Sequence, residues 1–285
     1  MSHVTTLRVK TAPGVRVDAG ALLPVPLATL SVAEIERLAL PAGNARCVVG
    51  DMFAVSRAAS AGANDDDATL VIDGDAPWLD HVGAHMTHGH LIVHGTTGEA
   101  SGFRMAGGTL QIDGDAGHFT ACEMRGGRLT VRGHSGDFAA GARAGEMEGM
   151  TGGTLTIYGN TGARLADRMR RGLVLVGGDA GEFAASRLVA GTVAVAGRLG
   201  AHYAYGMRRG TLLLAQRPER LPPTFKEGGR GFDVFWTLLV RSLASEASET
   251  APFSQWRATR PPALPMRYTG DLAVDGRGEI LLVGH

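Results

Sequence analysis

Five of the ten histidines fall within one short stretch: His81, His85, His88, His90 and His94. Imidazole is the commonest transition-metal ligand, so metal chemistry is the first to weigh. A site needs three or four ligands converging in space. His90 and His94 alternate in phase on one strand and share a face, while His85 and His88 sit in the preceding turn. The only cysteines are Cys47 and Cys122, and no HExxH pattern supports a defined zinc site. His85, His88, His90 and His94 therefore stand as candidate ligands behind a plainer reading, a solvated or interface histidine patch.

Arginine is the second constellation. Arg164, Arg168, Arg170, Arg171, Arg187, Arg208 and Arg209 gather in the later part of the chain. Arg168 and Arg187 share a column of the repeat, as do Arg170 and Arg208, and Arg171 and Arg209. Stacked like charges repel, so such a ladder needs neutralising carboxylates or an acidic partner. Asp167, Asp179 and Glu182 are near enough in sequence to serve. The functional alternative is a surface for an acidic partner or a polyanionic ligand. No Ser-His-Asp order, paired carboxylates or phosphate-binding loop stands out. The sequence assigns no catalytic residue, and no cofactor to this chain.

What positions these residues is a repeat. Gly89, Gly108, Gly127, Gly153, Gly172, Gly191 and Gly210 are spaced by 19, 19, 26, 19, 19 and 19 residues. The 26 is one period plus a seven-residue insertion, placed at Ala144–Met150. After each glycine comes an alternating run such as Leu91-Ile92-Val93, Leu110-Gln111-Ile112 or Leu155-Thr156-Ile157, the signal of a half-buried strand. The full motif is G-x-x-G-x-x-x-[GA], the second glycine at Gly98, Gly117, Gly136, Gly162, Gly181 and Gly200. A period this short leaves no room for a helical crossover. It predicts a mainly β fold, a right-handed parallel β-helix with a rod about 34 Å long. Met86, Met105, Met124, Met150, Met169, Leu188 and Met207 share a column, read as stacked core filler. Phe119, Phe138 and Phe183 share another, read as packing, with Arg164 and His202 as outward exceptions.

The ends do not repeat, giving three segments: 1–66 an α+β cap, 67–216 the repeat, and 217–285 a helix with an extended arm. Ser31-Val32-Ala33-Glu34 is a capping box. Cys47–Val49 and Met52–Val55 read as two strands around a Gly50-Asp51 turn. Phe232, Phe235, Trp236, Leu239, Val240 and Leu243 lie at helical spacing. That helix is expected to cap the open end of the rod, or to dock a partner through Phe232, Phe235 and Trp236. Strand-like segments at 270–274 and 279–283 suggest an arm lying on a neighbouring chain. Lysine plus arginine equals aspartate plus glutamate, 28 each, which argues against a nucleic-acid binder. There is no signal-like N-terminus and no apolar run of membrane-spanning length, so a cytoplasmic protein is expected.

The G-x-x-G-x-x-x-[GA] coils resemble the C-terminal β-helix domain of glutamate synthase and, equally, the C subunit of formylmethanofuran dehydrogenase. Residues Leu27–Ile35, then Gly43-Asn44, then Val49–Val55 resemble the N-terminal segment of that C-subunit family. The resemblance spans roughly residues 20–216. It implies a non-catalytic scaffold within a larger complex. That complex would be the bacterial formyltransferase/hydrolase, which moves a formyl group from tetrahydromethanopterin to a methanofuran-type coenzyme and releases formate. The alternatives are an archaeal formylmethanofuran dehydrogenase or a free-standing glutamate synthase-type domain. The Ala, Arg and Gly richness, with lysine only at Lys10 and Lys226, favours the bacterial complex. The implied partners are amidohydrolase-like, formyltransferase and dehydrogenase B-like subunits, with metal held on a partner. The arginine ladder could then guide a polyglutamate-bearing coenzyme.

Overall fold

A computed structural model describes residues 3–59, 68–229, 233–246 and 263–283. Its centre is a 13-stranded sheet, most of it parallel. The 19-residue period sets the register directly. Leu91 pairs with Leu110, Leu110 with Leu129, Leu129 with Leu155, and so on through Val174, Val193 and Leu212. Each step along the sheet is one repeat, and the 26-residue step from Leu129 to Leu155 keeps the pairing in phase. Side chains alternate across a strand, so this column and that of Val93, Ile112, Val131 and Ile157 both face inward. These residues are buried.

A second line of parallel bridges runs Ala116–Ser135–Thr161–Ala180–Leu199. The connecting turns are bonded coil to coil as well. Gly114 N–H donates to Gly95 O at 3.0 Å, Gly133 to Gly114 at 3.1 Å and Gly159 to Gly133 at 3.0 Å. The recurrent glycines carry φ between +76° and +108°, a region closed to most L residues. The methionine column is fully buried, as expected. The extra residues of the long repeat leave after Ala142, whose N–H donates to Asp167 O, and return at Gly149, whose N–H donates to Arg168 O.

The first segment joins the same sheet. His3–Val9 pairs in parallel with Thr69–Asp73 and antiparallel with Phe53–Ala59, which ends the ladder. Ser31 caps Val32–Glu36 as expected: its Oγ accepts from Glu34 N–H while Glu34 accepts from Ser31 N–H. The two strands read around Gly50-Asp51 are not a hairpin. Ala45–Val48 pairs back onto Ala39–Ala42, a helical turn fills Val49–Met52, and Phe53–Ala59 pairs with His3–Val9. Val49 and Met52 are both buried, so this turn is held by the core rather than by turn chemistry.

The other end corrects two expectations. The arm does not reach for a neighbour within the described residues. Gly278–Leu282 adds in parallel to Thr211–Leu214, the last coil strand, and Met266–Gly270 folds back on it antiparallel. Ile280 and Leu282 thereby extend the inward columns by one rung. The helix, Asp233–Glu246, does not cover the open end either. Trp236, Val240 and Leu243 pack on Leu175, Ala194, Leu213 and Leu281, on the outer face of the sheet. That face is continuously apolar in the late coils. In the earlier coils Val71 and Ile92 share it with polar residues such as Gln111, Thr130, His94 and Asp113. No helix among the described residues is long and apolar enough to cross a membrane.

Candidate interaction surface

The corner of each coil before the methionine column is unusual. Up to three alternating positions there adopt left-handed backbone, mostly with non-glycine residues, which lie at φ between +50° and +61°. Phe119, Phe138, Arg164, Phe183 and His202 occupy one of these columns. All five stack at the surface, so Arg164 and His202 are members of the phenylalanine ladder rather than exceptions to it. Phe119 and Phe138 lie 5.1 Å apart at 17°. The Arg164 guanidinium sits 5.7 Å from Phe138 and 4.8 Å from Phe183. Phe183 and His202 lie 4.9 Å apart at 23°. Aromatic pairs contribute about 0.5–1.5 kcal/mol beyond their burial. Phe183 touches His202, Arg164 and Tyr205 at once. Its replacement by alanine should therefore cost about 1–3 kcal/mol, read from urea denaturation. An unchanged midpoint would mean that the ladder adds nothing to stability.

Just beyond this column the arginines meet acids: Asp167, one of the carboxylates the sequence offered, and others it did not. Asp167 is buried and accepts a fork from Arg187, Nη2 at 2.6 Å and Nε at 3.0 Å, with Ser186 Oγ at 2.5 Å. Arg168 donates to the Glu146 carbonyl and Arg170 to the Glu148 carboxylate. Glu123, also buried, accepts from Arg104 at 2.6 Å and from Arg143 at 3.3 Å. Arg104 reaches Glu146 as well, at 3.1 Å. Glu146 and Glu148 lie in the insertion, outside the repeat register, so their pairing was invisible in it. The ion pairs clamp the insertion onto the coils and leave Met147 exposed at its tip.

The histidines do not converge. His94 Nδ1 lies 2.7 Å from Asp113, His90 Nδ1 2.7 Å from Thr109, and His88 Nδ1 2.7 Å from Thr87. His85 stands edge-on to Phe103 at 5.3 Å. Burial, then the charges of Arg104 and Arg125, push the His85 imidazole below its ordinary value. His81 Nδ1 is 3.0 Å from Asp18 but off the hydrogen-bonding angle. Burial alone would raise the Asp113 carboxyl; hydrogen bonds from His94 and Gln111 outweigh it and hold the group low. Among the described residues, no three His, Cys, Asp or Glu side chains form a metal-binding group. His90 does line a shallow hollow of 380 Å³ on the outer sheet face, with Thr69, Thr109, Gln111, Arg128 and Thr130.

Of the helix residues, Trp236 is buried within its own chain and so presents no free surface. Phe235 is 44% exposed, beside Val234 at 76% and Leu238 at 60%. Phe232 lies outside the described residues. Cys122 is buried beside Glu123, and burial pushes its thiol up to about 12. Native protein should therefore give one rapid equivalent with a thiol reagent, from part-exposed Cys47. Denatured protein should give two. Two rapid equivalents in the native state would contradict the buried placement of Cys122.

Fold and surface together define a stacked-repeat β-protein whose charged side chains largely tie one coil, or one loop, to the next. No family model matches the chain. The C subunit of the formyltransferase/hydrolase complex Fhc from Methylorubrum extorquens is 39% identical over 96 residues, 34% of either chain, so the match spans about a third of that relative. The crystal structure of the formyltransferase/hydrolase complex FhcABCD from Methylorubrum extorquens, in complex with methylofuran, gives a TM-score of 0.85 at 39% identity. That likeness covers 98% of this chain and 100% of the chain compared. The chain belongs to the C-subunit family of the formyltransferase/hydrolase complex.

Proposed function

We propose that this chain is the scaffold of a formyltransferase/hydrolase complex and carries no catalytic site of its own. The likeness along nearly the whole length of both chains supports the reading most directly. It extends through the N-terminal cap, whose sequence resembles this family and not other users of the same repeat, and on through the C-terminal arm. In this reading the coils close as a right-handed parallel β-helix. The second bridge ladder and the right-handed rule for parallel connections support that closure. The segments 1–66, 67–216 and 217–285 serve as cap, rod, and helix with arm. A methanofuran-type coenzyme and tetrahydromethanopterin would be handled by amidohydrolase-like, formyltransferase and dehydrogenase B-like partners, in the cytoplasm, with metal on a partner.

Co-expression with the other three subunits tests this. The chain alone should release no formate from a formylated methanofuran-type coenzyme. Co-purification in fixed ratio is expected, together with loss of formate release when this chain is omitted. Formate release by the isolated chain would overturn the scaffold reading. Stoichiometric metal in the isolated chain would make His85, His88, His90 and His94 its first candidate ligands.

A further inference from the structure

We propose that Arg171, Arg208, Arg209 and Arg277 form a basic edge that docks an acidic, partly apolar surface of a partner protein in the complex. The proposal rests on the scaffold reading above and adds the face and the chemistry of the contact.

Seven arginines stand out in the sequence of the later coils, and the structure satisfies four. Arg164 stacks between two phenylalanines, Arg168 holds the Glu146 carbonyl, Arg170 pairs with Glu148, and Arg187 forks onto Asp167. Arg171, Arg208 and Arg209 are exposed, and among the described residues none has a carboxylate within ion-pair distance. The arm adds a fourth. Arg277 N–H donates to the Arg208 carbonyl at 2.7 Å, and the register that pairs Thr211 with Glu279 sets Arg277 one rung beyond Arg209, in the column of Arg171 and Arg209. It too is exposed and unpaired among the described residues. The nearest acids do not help. Glu279 is taken by Arg267 at 3.5 Å, and exposed Asp275 makes no ion pair.

Adjacent rungs lie about 4.8 Å apart, so Arg209 and Arg277 are held close with nothing between them to neutralise either. The chain as a whole is balanced at 28 charges of each sign, so this edge is a local excess and not a general basicity. Its turns lead into the strands 173–176, 211–214 and 278–282. The helix covers Leu175, Leu213 and Leu281 on those same strands and leaves Val234 and Leu238 largely exposed on its own outer side. Apolar residues with a charged rim are the anatomy of a protein interface. A flexible polyanion would neutralise the arginines but has no use for Val234 and Leu238, so a protein surface fits better.

The test uses the tagged full chain co-expressed with the other three subunits, as wild type, as R171E/R208E/R209E/R277E, and as the corresponding quadruple alanine variant. All four side chains are exposed, so circular dichroism and melting should not change. Charge reversal should weaken assembly at least about tenfold, with alanine intermediate and less sensitive to salt than wild type. The same subunit ratio and salt midpoint for wild type and charge reversal would overturn the proposal. Intact assembly combined with lost binding of poly-γ-glutamate would overturn it in favour of a soluble polyanion. Failure of the wild type itself to recover identified partners would instead overturn the scaffold reading.

Discussion

Gly153→Ala should cost roughly 2–5 kcal/mol of stability, whereas Gly145→Ala should cost about 1–2 kcal/mol. The two glycines form a matched pair, because both have φ +89°. Backbone strain from a new Cβ is therefore the same at each. What differs is what the Cβ would meet. At Gly145, in the insertion, nothing lies within 4 Å. At Gly153 it would lie 2.8 Å from Gly127 O and 2.9 Å from both Gly126 C and Met124 Cε. The methionine end can swing aside, but the backbone of the previous rung cannot. Gly127 O is also the acceptor for Thr154 N–H at 3.0 Å, so relieving the clash opens the ladder at that step. Urea midpoints at equal m-value would measure the difference. Equal losses at the two sites would mean that φ alone, and not the closeness of the rungs, selects glycine in this column.

The glycine column is also where the fold was most legible in the sequence. Its 19-residue spacing predicted a stack, and the register from Leu91 to Leu212 follows it residue for residue. The methionine column followed because a repeated position repeats its environment. The phenylalanine ladder was legible as a column but not as a surface. Phenylalanine, arginine and histidine rarely occupy left-handed backbone, where Cβ is penalised, so nothing local says that the chain turns there. The Glu146 carbonyl and the Glu148 carboxylate that satisfy Arg168 and Arg170 come from the insertion, which no period could align. The arm failed for a different reason. A strand's own pattern shows which face is apolar, but not whether its neighbour is the last coil or another chain.

Ending the chain after Gln216 should convert a well-behaved protein into one that self-associates or precipitates. Two surfaces would be uncovered together. The last coil strand, Thr211–Leu214, would lose its parallel neighbour, leaving its edge N–H and C=O groups unpaired. Gly210 O and Leu214 O would also lose the N–H groups of Glu279 and Val283, at 2.9 Å each. Leu212 and Leu214, buried beneath Ile280 and Leu282, would face water at the open end. On the outer sheet face, Leu175, Ala194 and Leu213 would lose Trp236, Val240 and Leu243. An apolar end with a free strand edge is a template for another copy of itself. Trp236→Ala separates the two effects, because it empties the helix contact and leaves the edge paired. It should cost roughly 3–5 kcal/mol without changing the association state. Light scattering distinguishes the cases. A truncated chain that stays monodisperse with an unchanged melt would show that the coils seal their own end and that the arm's pairing is not what closes it. Aggregation of both proteins would put the weight on the helix. Aggregation of the truncated chain alone would identify the strand edge as the surface that the arm exists to close.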